Sequence, residues 1–138
     1  MTAPGRVDVA DVQWTAERAN RALPLVRRIA EDLVQAYRRW QDLIERFELA
    51  SLKSTGERQD PDAQRLSREI QDTAREVQGF VAELASLGVE CKGLEDGLVD
   101  FPGERDGVPI YYCWKVGERA VEHWHPRDTG FAGRQPLP

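Results

Sequence analysis

The sequence predicts an α+β fold, in which a long antiparallel helical hairpin is followed by a small antiparallel β-sheet and an extended C-terminal tail. Two observations lead to this prediction. Apolar residues recur at helical spacing over two long segments, and short alternating segments rich in aromatic and β-branched residues follow them. The 138 residues suit a single domain, with the hairpin at 14–87 and the β-rich segment and docked tail at 88–138.

The first helix is predicted to begin after Thr15, whose hydroxyl can accept a hydrogen bond from an unpaired N–H of the first turn. Pro24 removes a backbone donor inside this helix, so we expect a kink or a short break there. The side chain of Asn20 is expected to satisfy backbone groups near that point. Apolar residues three or four positions apart then form a wide stripe: Val26, Ile29, Leu33, Ala36, Trp40, Leu43 and Phe47.

A polar segment at 51–62 predicts the loop of the hairpin. Asp60 and Pro61 restart a helix, since aspartate is a good N-cap and proline fits the first turn. Gly88 is expected to end it. The second stripe comprises Leu66, Ile70, Thr73, Val77, Phe80, Leu84 and Leu87.

Both stripes are wider than a single pair of helices can cover. The remainder needs cover from the β segment or from a second subunit, and a four-helix core shared by two chains suits this width. We therefore predict a homodimer, and binding of another protein stays open.

The two best strand candidates form a predicted hairpin, and they occupy residues 110–116 and 121–125. Centring the turn on residues 118–119 pairs Val116 with Val121, which is a favourable cross-strand pair. In that register His123 and His125 share one face of the sheet, and Cys113 points to the other face.

Bulk composition argues against several classes of protein. A net charge of −5 without a basic face argues against nucleic acid as a partner. No apolar segment approaches the length of a membrane span and no export signal is evident, so we expect a cytoplasmic protein without a membrane partner. Cys91 and Cys113 are then expected to be free thiols.

Candidate site residues lie in the C-terminal half. His123 and His125 are weak metal candidates, because the predicted register leaves them without a third ligand, and no cofactor is predicted although a bound metal ion stays possible. The binding candidates are Asp100, His125, Asp128, Phe131 and Arg134. Arg134 offers a bidentate anion clamp beside the Phe131 anchor. Alternatively, the tail is pinned in place and Arg134 pairs an internal acid.

Several motifs resemble the uncharacterised bacterial family catalogued as domain of unknown function 2203. They are Trp14-Thr-Ala-Glu17-Arg-Ala-Asn20, Gly97-Leu-Val-Asp-Phe-Pro102, Cys113-Trp114, and Trp124-His125 through Gly130-Phe-Ala-Gly-Arg-Gln-Pro136. His125, Asp128 and Arg134 match the family motif, whereas a tyrosine often stands at the position of His123. The resemblance implies no established activity.

The leading functional hypothesis is a non-enzymatic interaction module, in which the helical hairpin mediates homodimerisation or partner binding. The alternative is a small enzyme or a metal- or anion-binding protein, with a site formed by the C-terminal histidine, aspartate and arginine side chains.

Overall fold

The computed structural model describes residues 13–58 and 60–138. Residues 1–13 precede the first helix signal and are predicted to form a loose arm, which lies outside the described residues except for Gln13. Two helices precede a five-stranded antiparallel sheet whose strand order follows the chain. The elements are α1 (Ala16–Ser51), α2 (Pro61–Ser86), β1 (Glu90–Gly93), β2 (Leu98–Arg105), β3 (Val108–Trp114), β4 (His123–Pro126), a 3₁₀ helix (Phe131–Gly133) and β5 (Gln135–Pro136). The predicted α+β fold is confirmed.

Local hydrogen bonds fix the ends of both helices. The Thr15 hydroxyl accepts from the Arg18 N–H at 3.1 Å at the start of α1, and the Asp60 carboxylate accepts from the Asp62 N–H at 2.9 Å at the start of α2. Gly88 adopts φ 85°, which lets the chain reverse after α2. The predicted start and stop signals are therefore those the structure uses.

Of the kink or short break expected at Pro24, the break is wrong, because α1 is a single helix of 36 residues with Pro24 inside it. The kink stays a prediction. Leu23 and Val26 lie on either side of the proline, and both are buried in the same core. Packing of this continuous apolar face holds the helix together across the missing hydrogen bond.

Asn20 links α1 to the segment between β3 and β4. Its amide donates to the Val121 carbonyl at 3.1 Å, and its carbonyl accepts from the Val121 N–H at 2.8 Å. The amide also donates to the Ala16 carbonyl at 3.0 Å. Asn20 thus satisfies backbone groups as expected, and most of its partners come from a segment 101 residues away.

We expect Asn20→Ala to lower the free energy of unfolding by roughly 1–3 kcal/mol, because the Val121 N–H loses its partner inside the protein. Chemical denaturation measures this loss. Gln35→Ala removes an exposed amide from the same helix and should change stability by less than about 0.5 kcal/mol. Equal losses for the two variants would contradict the bridging role of Asn20.

The apolar stripes of the helices enclose two clusters of buried side chains. The larger cluster joins the hairpin to one face of the sheet, and it includes Leu23, Val26, Leu33, Leu84, Val99, Phe101, Tyr112 and Trp114. The smaller cluster lies farther along the hairpin, where the two helices pack only on each other, and comprises Leu43, Ala50, Ala63 and Leu66. The hairpin is therefore held by its stripes as predicted. Neither of the two helices described here carries a segment apolar enough to cross a membrane.

The predicted register of the hairpin between β3 and β4 is wrong by one residue. Tyr111 pairs with His125 and Cys113 pairs with His123, so Cys113 faces the same side of the sheet as the histidines. The cause lies in the connection, which is long and not a tight turn. Glu118 folds back and accepts hydrogen bonds from the Lys115 N–H at 2.9 Å and the Trp114 indole N–H at 3.0 Å. These bonds end β3 early and replace the predicted valine pair.

Candidate functional site

The sheet has one apolar face and one polar face. The apolar face packs on the hairpin through Val99, Phe101, Tyr112 and Trp114. Strand register aligns Glu90, Asp100, Cys113 and His123 in one row on the opposite face. Tyr111 and His125 form the next pair on that face. A sheet face so rich in titratable groups is the natural place to look for chemistry.

Three side chains converge in the middle of the polar face. Asp100, Cys113 and His125 each contribute one potential ligand atom, and these atoms lie within 4.8 Å of one another. All three residues are buried, with exposed fractions of 2%, 0% and 2% respectively. The His125 Nε2 atom lies 3.1 and 3.0 Å from the two carboxylate oxygens of Asp100.

The backbone fixes the tautomer of His125. Its Nδ1 atom lies 2.7 Å from the Pro126 carbonyl oxygen, which can only accept a hydrogen bond, so Nδ1 must carry the proton. The Nε2 atom then faces the Asp100 carboxylate, and a proton or a cation must lie between them. Burial raises the pKa of Asp100, although the hydrogen bond from His125 opposes this effect.

Cys113 is unsuited to nucleophilic chemistry in this setting. Burial, followed by the nearby Asp100 carboxylate, raises the pKa of its thiol to about 12. The thiolate is the reactive form of cysteine, so a free thiol here is inert near neutral pH. A bound cation would reverse this preference, since coordination to a metal ion deprotonates a thiol.

The tail does not present Arg134 to solvent as an anion clamp. Its two terminal nitrogens donate to the two carboxylate oxygens of Glu118, each at 2.7 Å, and one also donates to the Cys113 carbonyl at 3.3 Å. The Phe131 ring lies under the same guanidinium, 4.7 Å from its central carbon. Arg134 therefore pairs an internal acid, which is the second of the two roles considered for it.

The Glu118–Arg134 ion pair makes the stability of the folded protein depend on pH. Burial would raise the pKa of Glu118, but the hydrogen bonds from Arg134 and from the Lys115 N–H outweigh burial and lower this pKa below its ordinary value. A carboxyl whose pKa is depressed by folding stabilises the protein above its unfolded pKa, and this stabilisation is lost as the pH falls through the folded pKa.

We therefore expect Glu118→Gln to be less stable than the parent chain at pH 7, and we expect the difference to shrink as the pH falls below about 4. Chemical denaturation at a series of pH values measures it. Glu122→Gln, at a more exposed carboxylate in the same region, is the matched control. A gap between Glu118→Gln and the parent that stays constant with pH would rule out this ion pair as the source.

His123 and Asp128, from the predicted set, do not belong to the buried cluster, although His123 pairs with Cys113 across the strands. His123 is partly exposed, and its Nδ1 atom lies 3.9 Å from a Glu118 carboxylate oxygen. Asp128 is exposed in the turn after β4. The structure thus brings together Asp100 and His125 from the predicted set and adds Cys113.

Sequence reasoning missed Glu118, and it turned Cys113 to the wrong face. Polar residues occupy alternate positions in β1 and β4, but β3 has adjacent tyrosines at positions 111 and 112. The pattern of β3 therefore does not show which face of the sheet carries Cys113. Nothing in the local sequence marks Glu118, whose partner Arg134 lies 16 residues away.

Comparison with curated proteins and comparison with solved structures each give no match. A family model described as "Uncharacterized conserved protein (DUF2203)" matches residues 13–137, which is nearly the whole chain. This match agrees with the resemblance of the motifs to domain of unknown function 2203. The chain therefore belongs to this family of uncharacterised conserved proteins.

Proposed function

We propose that this protein binds one divalent transition metal ion, with zinc as the best fit, through Asp100, Cys113 and His125. The observation that supports the proposal is the convergence of a carboxylate oxygen, a sulfur and an imidazole nitrogen within 4.8 Å. Zinc accepts all three ligand types. Ligand atoms around a tetrahedral zinc ion lie about 3–4 Å apart, so a small side-chain adjustment brings these three into range.

Groups around the three ligands support the same proposal. Metal-binding histidines usually donate their second ring N–H to a carbonyl or a carboxylate, and His125 donates to the Pro126 carbonyl. Nε2 is then the nitrogen that would bind the metal ion, and it faces Asp100 at 3.0 and 3.1 Å. Arg134 donates to the backbone carbonyl of Cys113 and so helps to fix the strand that carries the sulfur.

Three protein ligands leave a fourth zinc position for water or another small ligand, as in catalytic zinc sites. This arrangement favours the alternative considered for the sequence, a metal-binding protein, over a purely structural module. The proposal ends at metal binding, because the burial of all three ligands identifies no substrate.

The test is the metal content of the purified protein, reconstituted with zinc and passed through a desalting column. We expect elemental mass spectrometry to find one zinc ion per chain. His125→Ala should lose this zinc, and His123→Ala should keep it, which makes the two histidines of β4 a matched pair. Circular dichroism checks that both variants are folded, and Cys113→Ser gives a second ligand variant. A parent chain without zinc, or equal loss from both histidine variants, would refute the proposal.

A second candidate function, homodimerisation through the hairpin, is favoured by a separate observation. Where the helices extend beyond the larger core cluster, apolar side chains on α1 remain only partly covered. They are Tyr37, Trp40, Ile44 and Phe47. Tyr37 and Trp40 stack on each other at 5.8 Å, which presents a flat aromatic surface that a second copy could cover.

Light scattering coupled to size exclusion tests this candidate. We expect the mass of a dimer for the parent chain and the mass of a monomer for Trp40→Glu. Arg39→Glu changes the neighbouring, exposed position and should leave the dimer intact. A parent chain that stays monomeric at high micromolar concentration would exclude dimerisation and would leave the metal proposal unaffected.

A further inference from the structure

The buried cluster has no direct route to solvent through its own side chains, because Asp100, Cys113 and His125 are all at most 2% exposed. A cavity of about 800 Å³ opens between the end of α2 and the sheet, and its lining includes Cys91 and Arg127 but none of the three cluster residues. Access to the cluster therefore requires part of the structure to move.

The C-terminal tail is joined to the sheet by short pairings, and its Leu137 side chain packs half-buried against the larger core cluster. β5 pairs with β4 over only two residues. The Leu137 N–H donates to the Glu122 carbonyl at 2.8 Å. The residues of the 3₁₀ helix between β4 and β5 are exposed or half-buried. Segments with short pairings and few buried apolar contacts open at a lower free energy than the core.

Two arginines hold this tail against the sheet: Arg127 donates to the Ile110 and Gly103 carbonyls at its start, and Arg134 binds farther along. Arg134 forms its two hydrogen bonds to Glu118 with both groups largely buried, the side chains being 13% and 20% exposed. The same guanidinium reaches the Cys113 carbonyl at 3.3 Å. Phe131 extends the cover, since the Lys115 ammonium lies 5.2 Å from its ring centre. The arginine thus connects the tail directly to the strand that carries the cluster sulfur.

We infer that residues 127–138 form a strap over the polar face, and that the Glu118–Arg134 ion pair is the latch that controls access to the Asp100–Cys113–His125 cluster. When the pair breaks, the tail detaches from Cys113 while the hairpin and the core of the sheet stay folded. The claim that the strap controls the passage of metal ions rests on the proposed function. The claim that the strap shields Cys113 does not.

The experiment measures how fast Cys113 reacts with an aromatic disulfide reagent in metal-free protein. Cys91→Ser serves as the parent, so that Cys113 is the single thiol. Adding Glu118→Gln should accelerate labelling by about tenfold, which corresponds to loss of a charge-assisted hydrogen-bonded pair. Adding Glu122→Gln, which affects an exposed ion pair with Arg119, should leave the rate unchanged.

A global control separates opening of the strap from unfolding of the whole chain. Leu33→Ala weakens the core between the hairpin and the sheet without removing a contact of Arg134, and it should accelerate labelling less than Glu118→Gln does. Equal rates for Glu118→Gln and its parent, or a larger acceleration by Leu33→Ala, would overturn the inference. Since the protein carries no metal in this assay, its failure is distinguishable from failure of the metal proposal.

Zinc kinetics then test the strap as a metal gate. We expect Glu118→Gln to speed zinc transfer to a chelator about tenfold while the equilibrium affinity changes less than about threefold, because a gate alters entry and exit alike. A matching fall in affinity would show that Glu118 supports the site itself and does not control access.

Discussion

Leu33→Ala is expected to lower the free energy of unfolding by roughly 2–5 kcal/mol. Leu33 has an exposed fraction of 0% and belongs to the cluster that joins the hairpin to the apolar face of the sheet. Truncation removes buried methyl groups and leaves a cavity that the surrounding helix and strands can fill only in part. Urea denaturation followed by circular dichroism measures the loss.

Leu49→Ala supplies the matched control, because it makes the same substitution on the same helix at a side chain that is 67% exposed. Stability should change by no more than about 0.5 kcal/mol. If both variants lost similar stability, the assignment of Leu33 to the interior and Leu49 to the surface would be wrong, and the stripe on α1 would need to be redrawn.

Trp14→Ala is expected to cost roughly 3–5 kcal/mol, because this side chain holds three parts of the fold together. Its indole N–H donates to the Gly88 carbonyl at 3.0 Å, at the end of α2. Its ring packs edge-on against Phe101 of β2, with the ring centres 5.1 Å apart. The backbone N–H of residue 14 donates to the Pro102 carbonyl at 2.7 Å, and the substitution leaves this bond in place.

Trp14→Phe separates the two side-chain roles in the same denaturation assay. Phenylalanine retains an aromatic ring against Phe101 but cannot donate to Gly88, so we expect a smaller loss of about 1–3 kcal/mol. Full stability in Trp14→Ala would contradict the view that the start of α1 is fastened to the sheet at this point.

The helices were predictable because their signals are local. Caps such as Thr15 and Asp60 act within three residues, and the stripes repeat at the helical period along one continuous segment. Pro24 shows the limit of this reasoning. Its intrinsic preference for breaking a helix yields to the packing of Leu23 and Val26, which depends on a sheet that comes much later in the chain.

The register of the β3–β4 hairpin was not predictable from neighbouring pairs. Val116 and Val121 would pair well across a two-residue turn, but the Val121 backbone bonds to Asn20 on α1 instead. Glu118 likewise binds Arg134 from the tail. Both contacts join distant segments, and their combined effect exceeds the preference for one cross-strand pair, which is worth about 0.2–1 kcal/mol.

The one-residue difference between the predicted and the observed β3–β4 register changes which side chains meet at the site. Asp100 and His125 were identified from the sequence as binding candidates, and the structure places them in contact. In the predicted register Cys113 points away from His123 and His125, which leaves them without a third ligand. In a strand, a slip of one position moves every side chain to the opposite face, so a small error in pairing is enough to separate Cys113 from the histidines.

Titration with cobalt(II) tests the central claim most directly, since cobalt replaces zinc and reports its ligands by absorption. We predict that one equivalent of cobalt produces a thiolate-to-metal charge-transfer band together with the intense visible bands of a tetrahedral site. Cys113→Ser should abolish the charge-transfer band, and Cys91→Ser should retain it. Absence of a thiolate band in the parent chain, or its persistence in Cys113→Ser, would contradict a metal site at Asp100, Cys113 and His125.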